Sequence, residues 1–518
     1  MTKLYAVLFI VATSLSASAQ LVYKDVAGIF YNRCTTCHHE NQHQQSMLNY
    51  SETFPWAHSI QVDLQSGKMP PWPPDTTYTR FLHERIITAA EKNTILSWIS
   101  SGALKGDTTL APLAPTYTQY QLNGTPDLIL KIPTFTSNAT AKDAYNCFAI
   151  PSGLSVDRIL RAYEIVPGNV SIVHHVVVSV DTTGTVASDL SGTCFNQPGD
   201  FGIGGYAPGS SPTVFPGQAP LKMGIRIKAG SKLILQIHYP VGTAGQQDST
   251  QIRLYFYPLS ATGIRTVYVN TYLQNWSLSI PANTVKSFTA QYPTSGTLPT
   301  AVSIYAPSPH SHKVNKSMLI YAYRTSPVDT IPLISIPNWN FDLQGFYTFP
   351  HMVKVPAGYK LFSKHVYDNT TNNPNNPNSP PALVVAGTST TDEMLFDSFE
   401  WMYYQPGDDT INIGKILSVD SLLTTSVAEP KISSPEITSY VFPNPFNENT
   451  TLVIMNTNRI TNYELKVYNL YGKEVSVDAV RNADGFVISR KNLPSGVYFY
   501  SIKAGKSTGS GKIILMPQ

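Results

Sequence analysis

Cys34-Thr35-Thr36-Cys37-His38 is the segment with the most definite chemistry in this chain. Two thiols spaced C-x-x-C can each add to a vinyl group of a haem, and the histidine that follows then lies under the iron, the pattern of covalent c-type haem attachment. Such a haem supplies one-electron chemistry that side chains cannot perform. The chain holds four cysteines. A zinc site of four thiolates would need the distant Cys147 and Cys194 to converge on this pair. No βαβ pattern follows to suggest a dithiol redox motif.

A second set of residues could bind metal. His174-His175 heads an apolar run, Gln236-Ile237-His238-Tyr239 lies in another, and His310-Ser311-His312 forms a third group; Met394 follows in Thr391-Asp392-Glu393-Met394. Alternation along a strand would point His310 and His312 the same way. Adjacent His174 and His175 could share an ion only at a strand end, where the backbone leaves the pleat, and Pro167-Gly168-Asn169 just before them allows that. Two imidazoles with a thioether suit copper that cycles through Cu(I), and three imidazoles suit copper or zinc. Singly, each of these residues is more often core packing than a ligand.

Elements must position these groups. At 518 residues the chain needs several domains. Charged residues are only 13%, against about 25% in average globular chains, and turn formers and tyrosine fill the gap, as in extracellular β-structure. The net charge of +3 is spread out, with no Lys/Arg cluster to suggest nucleic acid. Lys3, the apolar run Leu4 to Leu15 and Ala17-Ser18-Ala19 before Gln20 form an export signal over residues 1–19. That run falls short of the roughly 20 residues of a membrane span, and no later stretch supplies one. Export makes a disulfide possible, and Cys147 with Cys194 is the expected pair.

Residues 20–112 carry helical signals, Leu21 to Asn32 and Arg85 to Ser101, around the loop Gly67-Lys68-Met69-Pro70-Pro71-Trp72-Pro73-Pro74. This segment resembles a small class I cytochrome c. The resemblance makes Met69 the second axial ligand beside His38, ahead of His39, His43, His58, His83 and Met47. Residues 113–425 switch to short β-rich runs such as IVHHVVVSVD and KLILQIHYPV. The order His-His, Gln-x-His-Tyr, His-x-His and Asp-Glu-Met resembles the copper type II, ascorbate-dependent monooxygenases, to which peptidylglycine α-hydroxylating monooxygenase and dopamine β-monooxygenase belong. Weaker matches are Trp339-Asn340-Phe341, His365-Val366-Tyr367-Asp368-Asn369 and the Cys147–Cys194 pair.

That resemblance implies two antiparallel, jelly-roll-like β-sandwiches over 113–267 and 268–425. By it, His174, His175 and His238 hold an electron-storing copper, and His310, His312 and Met394 hold the copper where oxygen and substrate meet. Two copper ions, one haem and an external reductant, ascorbate-like or an electron-transfer protein, are the expected cofactors. The partners are O2, an electron donor and a small organic or peptide substrate. In the peptidylglycine enzymes an arginine stands two residues before the His-x-His pair; here Ser308 does, and serine cannot pair bidentately with a carboxylate. A neutral or apolar substrate is therefore expected. The rival readings are a non-catalytic, secreted electron-transfer or copper-binding protein, and a surface module whose histidines are structural.

Residues 426–435 read as a linker. Residues 436–518, with Tyr440-Val441-Phe442-Pro443-Asn444-Pro445-Phe446, LKVYNLYGKEV and LPSGVYFYSIKAGK, resemble the type A sorting domain of the type IX secretion system. That implies an encounter with the secretion machinery. The short β-rich runs make the expected architecture mainly β, apart from the helical N-terminal domain.

Overall fold

Tyr23, Val26, Ala27 and Phe30 recur at helical spacing, and they are the buried stripe of the helix Tyr23–Arg33. In the computed structural model, which describes residues 20–40, 45–118, 120–195, 198–423, 437, 439–454, 463–469, 473–482, 485–491, 493–504 and 507–516, that stripe packs on Ile95 and Trp98. The expected signal, 1–19, and linker, 426–435, lie outside the described residues. Ile95 and Trp98 belong to the helix Ala89–Ser100. It starts four residues later than periodicity suggests, because Thr88 and Glu91 form a reciprocal capping box there. Met47 joins this core. The connector after the helix is packed too: a 3₁₀ turn spans Thr108–Leu110, and Tyr117 stacks on His39 at 4.1 Å.

The chain forms two compact units, Met1–Thr425 and Ser426–Gln518. After its helical lobe, the first unit is β-structure. One sheet runs Leu128–Lys131, Gln251–Phe256, Arg158–Val166, Leu221–Ile227 and Arg265–Thr266, and the facing sheet runs Ala144–Pro151, Lys232–Tyr239, His175–Asp181 and Phe201–Tyr206. Alternating Val176, Val178 and Val180 meet Leu160, Ala162 and Leu254 between them. A second sandwich follows. Tyr268–Gln274, Phe396–Tyr403, Val302–Ser308 and Val353–Val355 face Thr284–Tyr292, Lys360–Asn369, Asn315–Thr325 and Val328–Ile336. Ile304 and Phe399 interlock there with Ile320, Leu333 and Leu361.

The sandwiches share apolar packing. Tyr305, Met352, Met402, Ile413 and Leu417 belong to the same core cluster as the first sandwich, and Tyr305 lies 5.9 Å from the Phe215 ring. Asp420 accepts two hydrogen bonds from Arg161, at 2.6 and 2.7 Å. The helical lobe is bound in as well. Trp72 and Phe81 pack on Tyr347, the Asp75 N–H donates to the Ser335 carbonyl at 2.8 Å, and the Leu82 N–H donates to that of Thr348 at 2.7 Å.

Glu400 is buried at this junction, where the nearby titratable groups acting on one another are Tyr163 and Tyr305. Burial pushes its carboxyl from 4.5 up to about 8. The folded protein therefore holds this proton more tightly than the unfolded chain does. The resulting stability is full below pH 4.5 and lost as pH rises through about 8. Thermal melts should show the melting temperature falling across that window, and Glu400→Gln should remove this component and be the more stable protein at pH 9.

The second unit has its own sandwich. Ser439–Phe442, Asn449–Ile454, Gly485–Ser489 and Asp478–Asn482 face Glu474–Val475, Glu464–Asn469, Gly496–Ala504 and Ser507–Leu515. Phe446, Leu452, Ile488, Tyr500 and Ile502 fill its core. The architecture is mainly β with helices at the N-terminus, as the sequence patterning implies. Among the described residues no helix is long and apolar enough to cross a membrane.

Candidate metal and cofactor sites

His175 and His238 face each other across the pairing of His175–Asp181 with Lys232–Tyr239. His174 precedes the strand, and its N–H donates to the His238 carbonyl at 3.0 Å. There the chain arrives from a turn in which the Ile172 and Val173 N–H groups donate to the Asn169 carbonyl. Leaving the pleat lets the His174 ring swing to the side of its neighbour. The Nδ1 atoms of His174 and His238 lie 3.2 and 3.3 Å from Nδ1 of His175, and a ligand nitrogen from each ring falls within 4.8 Å of the others. Three nitrogens bound about 2.0 Å from one ion at near-tetrahedral angles stand about 3.3 Å apart. The trio has the spacing of a ligand set.

Its surroundings favour neutral imidazoles. Burial first, and then His174, holds the His238 pKa down at about 4. Burial and the neighbouring histidines, His310 among them, hold His175 well below its ordinary value. Neutral rings are the form that binds metal. Tyr145 stacks on His238 at 4.4 Å and 6°, and an Asp143 oxygen lies 3.0 Å from its Nε2. Carboxylates placed so orient a ligand ring and raise its basicity.

The disulfide Cys147–Cys194 is present and buttresses this face. Gln236 donates to the Cys194 carbonyl at 2.6 Å, and the Cys194 N–H donates to the Tyr145 carbonyl at 3.0 Å.

His310 and His312 lie beyond the strand Val302–Ser308, not within it. The ladder runs through Pro307 and Ser308, which pair with Phe399 and Ser398, and Pro309, with no N–H to donate, follows it before the histidines. Strand alternation is therefore not what brings them together; a buried carboxylate is. Glu393 accepts from the Ser311 hydroxyl at 2.8 Å and from the N–H groups of His312, Val314 and Met394 at 2.9, 2.7 and 3.1 Å. Ser311 also donates to the Met394 carbonyl at 2.6 Å, and Tyr367 donates to the same oxygen at 2.8 Å. The loop bearing both histidines is thus bolted to the backbone of Met394. The two rings stand 5.3 Å apart at 88°.

Nδ1 of His310 faces the Gln344 side-chain oxygen, and Nδ1 of His312 lies 3.1 Å from the Asp392 carbonyl. An ion held by both rings would be reached through Nε2. Burial leads in lowering both pKa values, that of His312 to about 3. His365, part of the weaker match His365-Val366-Tyr367-Asp368-Asn369, is fully buried. Its Nε2 lies 3.2 Å from Asp397, whose carboxylate also accepts the His310 N–H at 3.4 Å. The residues that sequence reasoning missed are Glu393, Gln344, Asp397 and Asp143. Only Glu393 left a local signal, a carboxylate set against the apolar Met394-Leu395 in an acid-poor chain.

In the helical lobe, Cys34 and Cys37 are free thiols in the turn that ends the first helix. Burial pushes the Cys34 thiol up to about 12. His38 is buried, with Nδ1 3.1 Å from the Gln45 carbonyl, which leaves Nε2 as the nitrogen for a metal. The Met69 N–H donates to the Asp63 carbonyl at 3.2 Å. Burial lowers the His38 pKa, and the Gln45 carbonyl and the Asp63 carboxylate offset only part of that. The donor set fits a covalently attached haem. Cys37 reaches outside its own lobe, with its Sγ 3.8 Å from the Gly209 carbonyl oxygen.

The fold is a series of β-sandwiches behind a helical lobe, and one part of the chain matches a known family. Residues 440–516 match the secretion system C-terminal sorting domain. The chain is exported, to the cell surface or beyond, through type IX machinery. No curated protein matches the chain. Among solved structures, the infectious bursal disease virus VP2 subviral particle aligns at 9% identity over 55% of this chain and 75% of that one, with a TM-score of 0.16. The BSP domain of a biofilm associated protein aligns at 9% over 78% and 83%, with a TM-score of 0.14. The titin I-band fragment I67-I69 aligns at 8% over 73% and 100%, with a TM-score of 0.13. Likenesses so slight carry no argument here.

Proposed function

We propose that this chain is a secreted copper-dependent monooxygenase that hydroxylates a substrate C–H bond with O2, its electrons arriving singly through a c-type haem in its own N-terminal lobe. The observation that carries this reading is the trio of Nδ1 atoms of His174, His175 and His238, 3.2 and 3.3 Å apart. Copper at two sites and a haem would supply the one-electron and oxygen chemistry that side chains lack. His174, His175 and His238 would hold one ion. His310 and His312, through Nε2, and the Met394 thioether would hold the other. Cys34 and Cys37 would carry the haem, with His38 and Met69 as its axial ligands.

The chain's own residues also shape the substrate. Ser308 stands where capture of a carboxylate would call for a guanidinium. The ring of Phe396 lies 6.4 Å from that of His310, and Phe341 lies 5.9 Å from His312. These walls suit a neutral, largely apolar organic molecule or peptide segment.

Metal analysis of the purified protein should find two copper ions and one iron per chain. Oxygen uptake by the copper-loaded protein, with an ascorbate-like reductant and a panel of apolar substrates, should fall at least ~100-fold in Met394→Ala, since even residues behind the ligands are worth 10–100-fold. Undiminished substrate-dependent uptake in that variant would sink the assignment. Copper binding with no product from any substrate would leave an electron-transfer protein instead.

A further inference from the structure

The contact between Cys37 and Gly209 joins two parts of the chain that the sequence leaves 172 residues apart. Gly209 has φ +78°, and a Cβ built on it would lie 2.1 Å from the Cys37 sulfur and 2.9 Å from its Cβ. Only glycine permits this approach. Arg85, from the helical lobe, donates from Nη2 to the Gly209 carbonyl at 3.3 Å and closes the contact from the other side. Gly209 belongs to a tight turn in which the Ser210 N–H donates to the Ala207 carbonyl at 2.8 Å and the Ala207 N–H donates to the Ser210 hydroxyl at 3.1 Å.

That turn leads directly into the edge of the sheet that carries the three histidines. Tyr206, which is buried, ends the strand Phe201–Tyr206 and pairs with Val176. Val176 is the neighbour of His175, which pairs with His238. From the sulfur of Cys37, one nonbonded contact, three residues of hydrogen-bonded turn and one rung of the sheet arrive beside His175. Another of the lobe's contacts, Trp72 and Phe81 on Tyr347, faces the second sandwich and starts from side chains that attach nothing.

Resting on the two-copper reading above, we propose that the Cys37–Gly209 contact, the turn Ala207–Ser210 and the Tyr206–Val176 rung form the electron entry route from the haem to the three-histidine copper. One electron passes per event. Haem iron goes from Fe(II) to Fe(III), copper from Cu(II) to Cu(I), and no proton or bond moves. A one-electron donor outside the chain restores the ferrous haem.

Flash photolysis tests this without any turnover. Fully oxidised, copper-loaded protein is kept anaerobic, its haem is reduced by a photoexcited flavin, and reoxidation is followed at the haem absorption bands, with the Cu(II) signal read by electron paramagnetic resonance. The expected result is a reoxidation phase independent of protein concentration, matched by equal loss of Cu(II) signal and absent from His238→Ala. That phase should slow several-fold in Gly209→Ala, whose new methyl group forces the sulfur away, and in Arg85→Met, which loosens the same contact without filling it. It should keep its rate in Trp72→Phe and in Gly153→Ala, a substitution at another positive-φ glycine with open space around it. An unchanged rate in both Gly209→Ala and Arg85→Met, persistence of the phase in His238→Ala, or slowing in Trp72→Phe alone would overturn the route. Two bound coppers with any of those results would leave the monooxygenase reading standing, whereas protein that takes up no copper would remove that reading first.

Discussion

Replacing Glu393 with alanine is expected to destabilise the first unit by on the order of 3–5 kcal/mol, because buried donors left without an acceptor bear their full desolvation cost. Four donors converge on this carboxylate, which is wholly buried: the Ser311 hydroxyl and the N–H groups of His312, Val314 and Met394. They come from both sides of the His310–His312–Met394 group, so the same change loosens the loop against the methionine and leaves the Ser311 hydroxyl on the Met394 carbonyl to hold it. The variant should therefore keep copper at the trio of His174, His175 and His238 while losing it at the other group. Metal analysis and thermal unfolding of one preparation check both parts. Glu393→Gln, which retains one acceptor oxygen, should lie between. A variant that melts like the parent and binds the same copper would show that the loop is set by something other than this carboxylate.

Removing the disulfide with Cys147→Ala and Cys194→Ala should cost a comparable amount. The bond closes a loop across a sequence separation of 47, which on the chain-entropy account is worth about 4 kcal/mol at 25 °C. The effect should extend to the three histidines. Cys147 and Tyr145 lie on the strand Ala144–Pro151, and the segment ending at Cys194 is tied to Tyr145, whose ring stacks on His238. Reduced or doubly substituted protein should have a lower denaturation midpoint and a weaker copper affinity at this group, with the His310–His312 group unaffected. Equal loss of copper from both groups would mean that the whole unit, not this face, had come apart.

Much of the architecture was legible because its signals are local. Short β-rich runs, turn formers and scarce charges imply the sandwiches, and the landmarks from Tyr440 to the GVYFYSIKAG run mark the sorting domain. Pairing of Cys147 with Cys194 was expected from export and is a weaker match of the monooxygenase resemblance. Local signals also misled. Helical periodicity placed a helix start at Arg85, where the Thr88–Glu91 box delays it to Ala89. Alternation was the wrong reason to put His310 and His312 together, since the strand ends at Ser308, before them. What was not legible depends on partners far along the chain: Gln344 beside His310, Asp143 beside His238, and Gly209 against Cys37. Nothing within a few residues of any of these announces its counterpart, and only the folded chain pairs them.

The apolar packing shared by the two sandwiches has a consequence for timing. Tyr305, Met352, Ile413 and Leu417 fasten one sandwich to the other through side chains that would have to enter water for the pair to separate, and large hydrophobic interfaces do not hinge. The histidine groups are therefore mounted on two sandwiches that one shared core holds together. Any exchange between them is then expected to cross a gap held by that core, with no step of opening and closing in its rate.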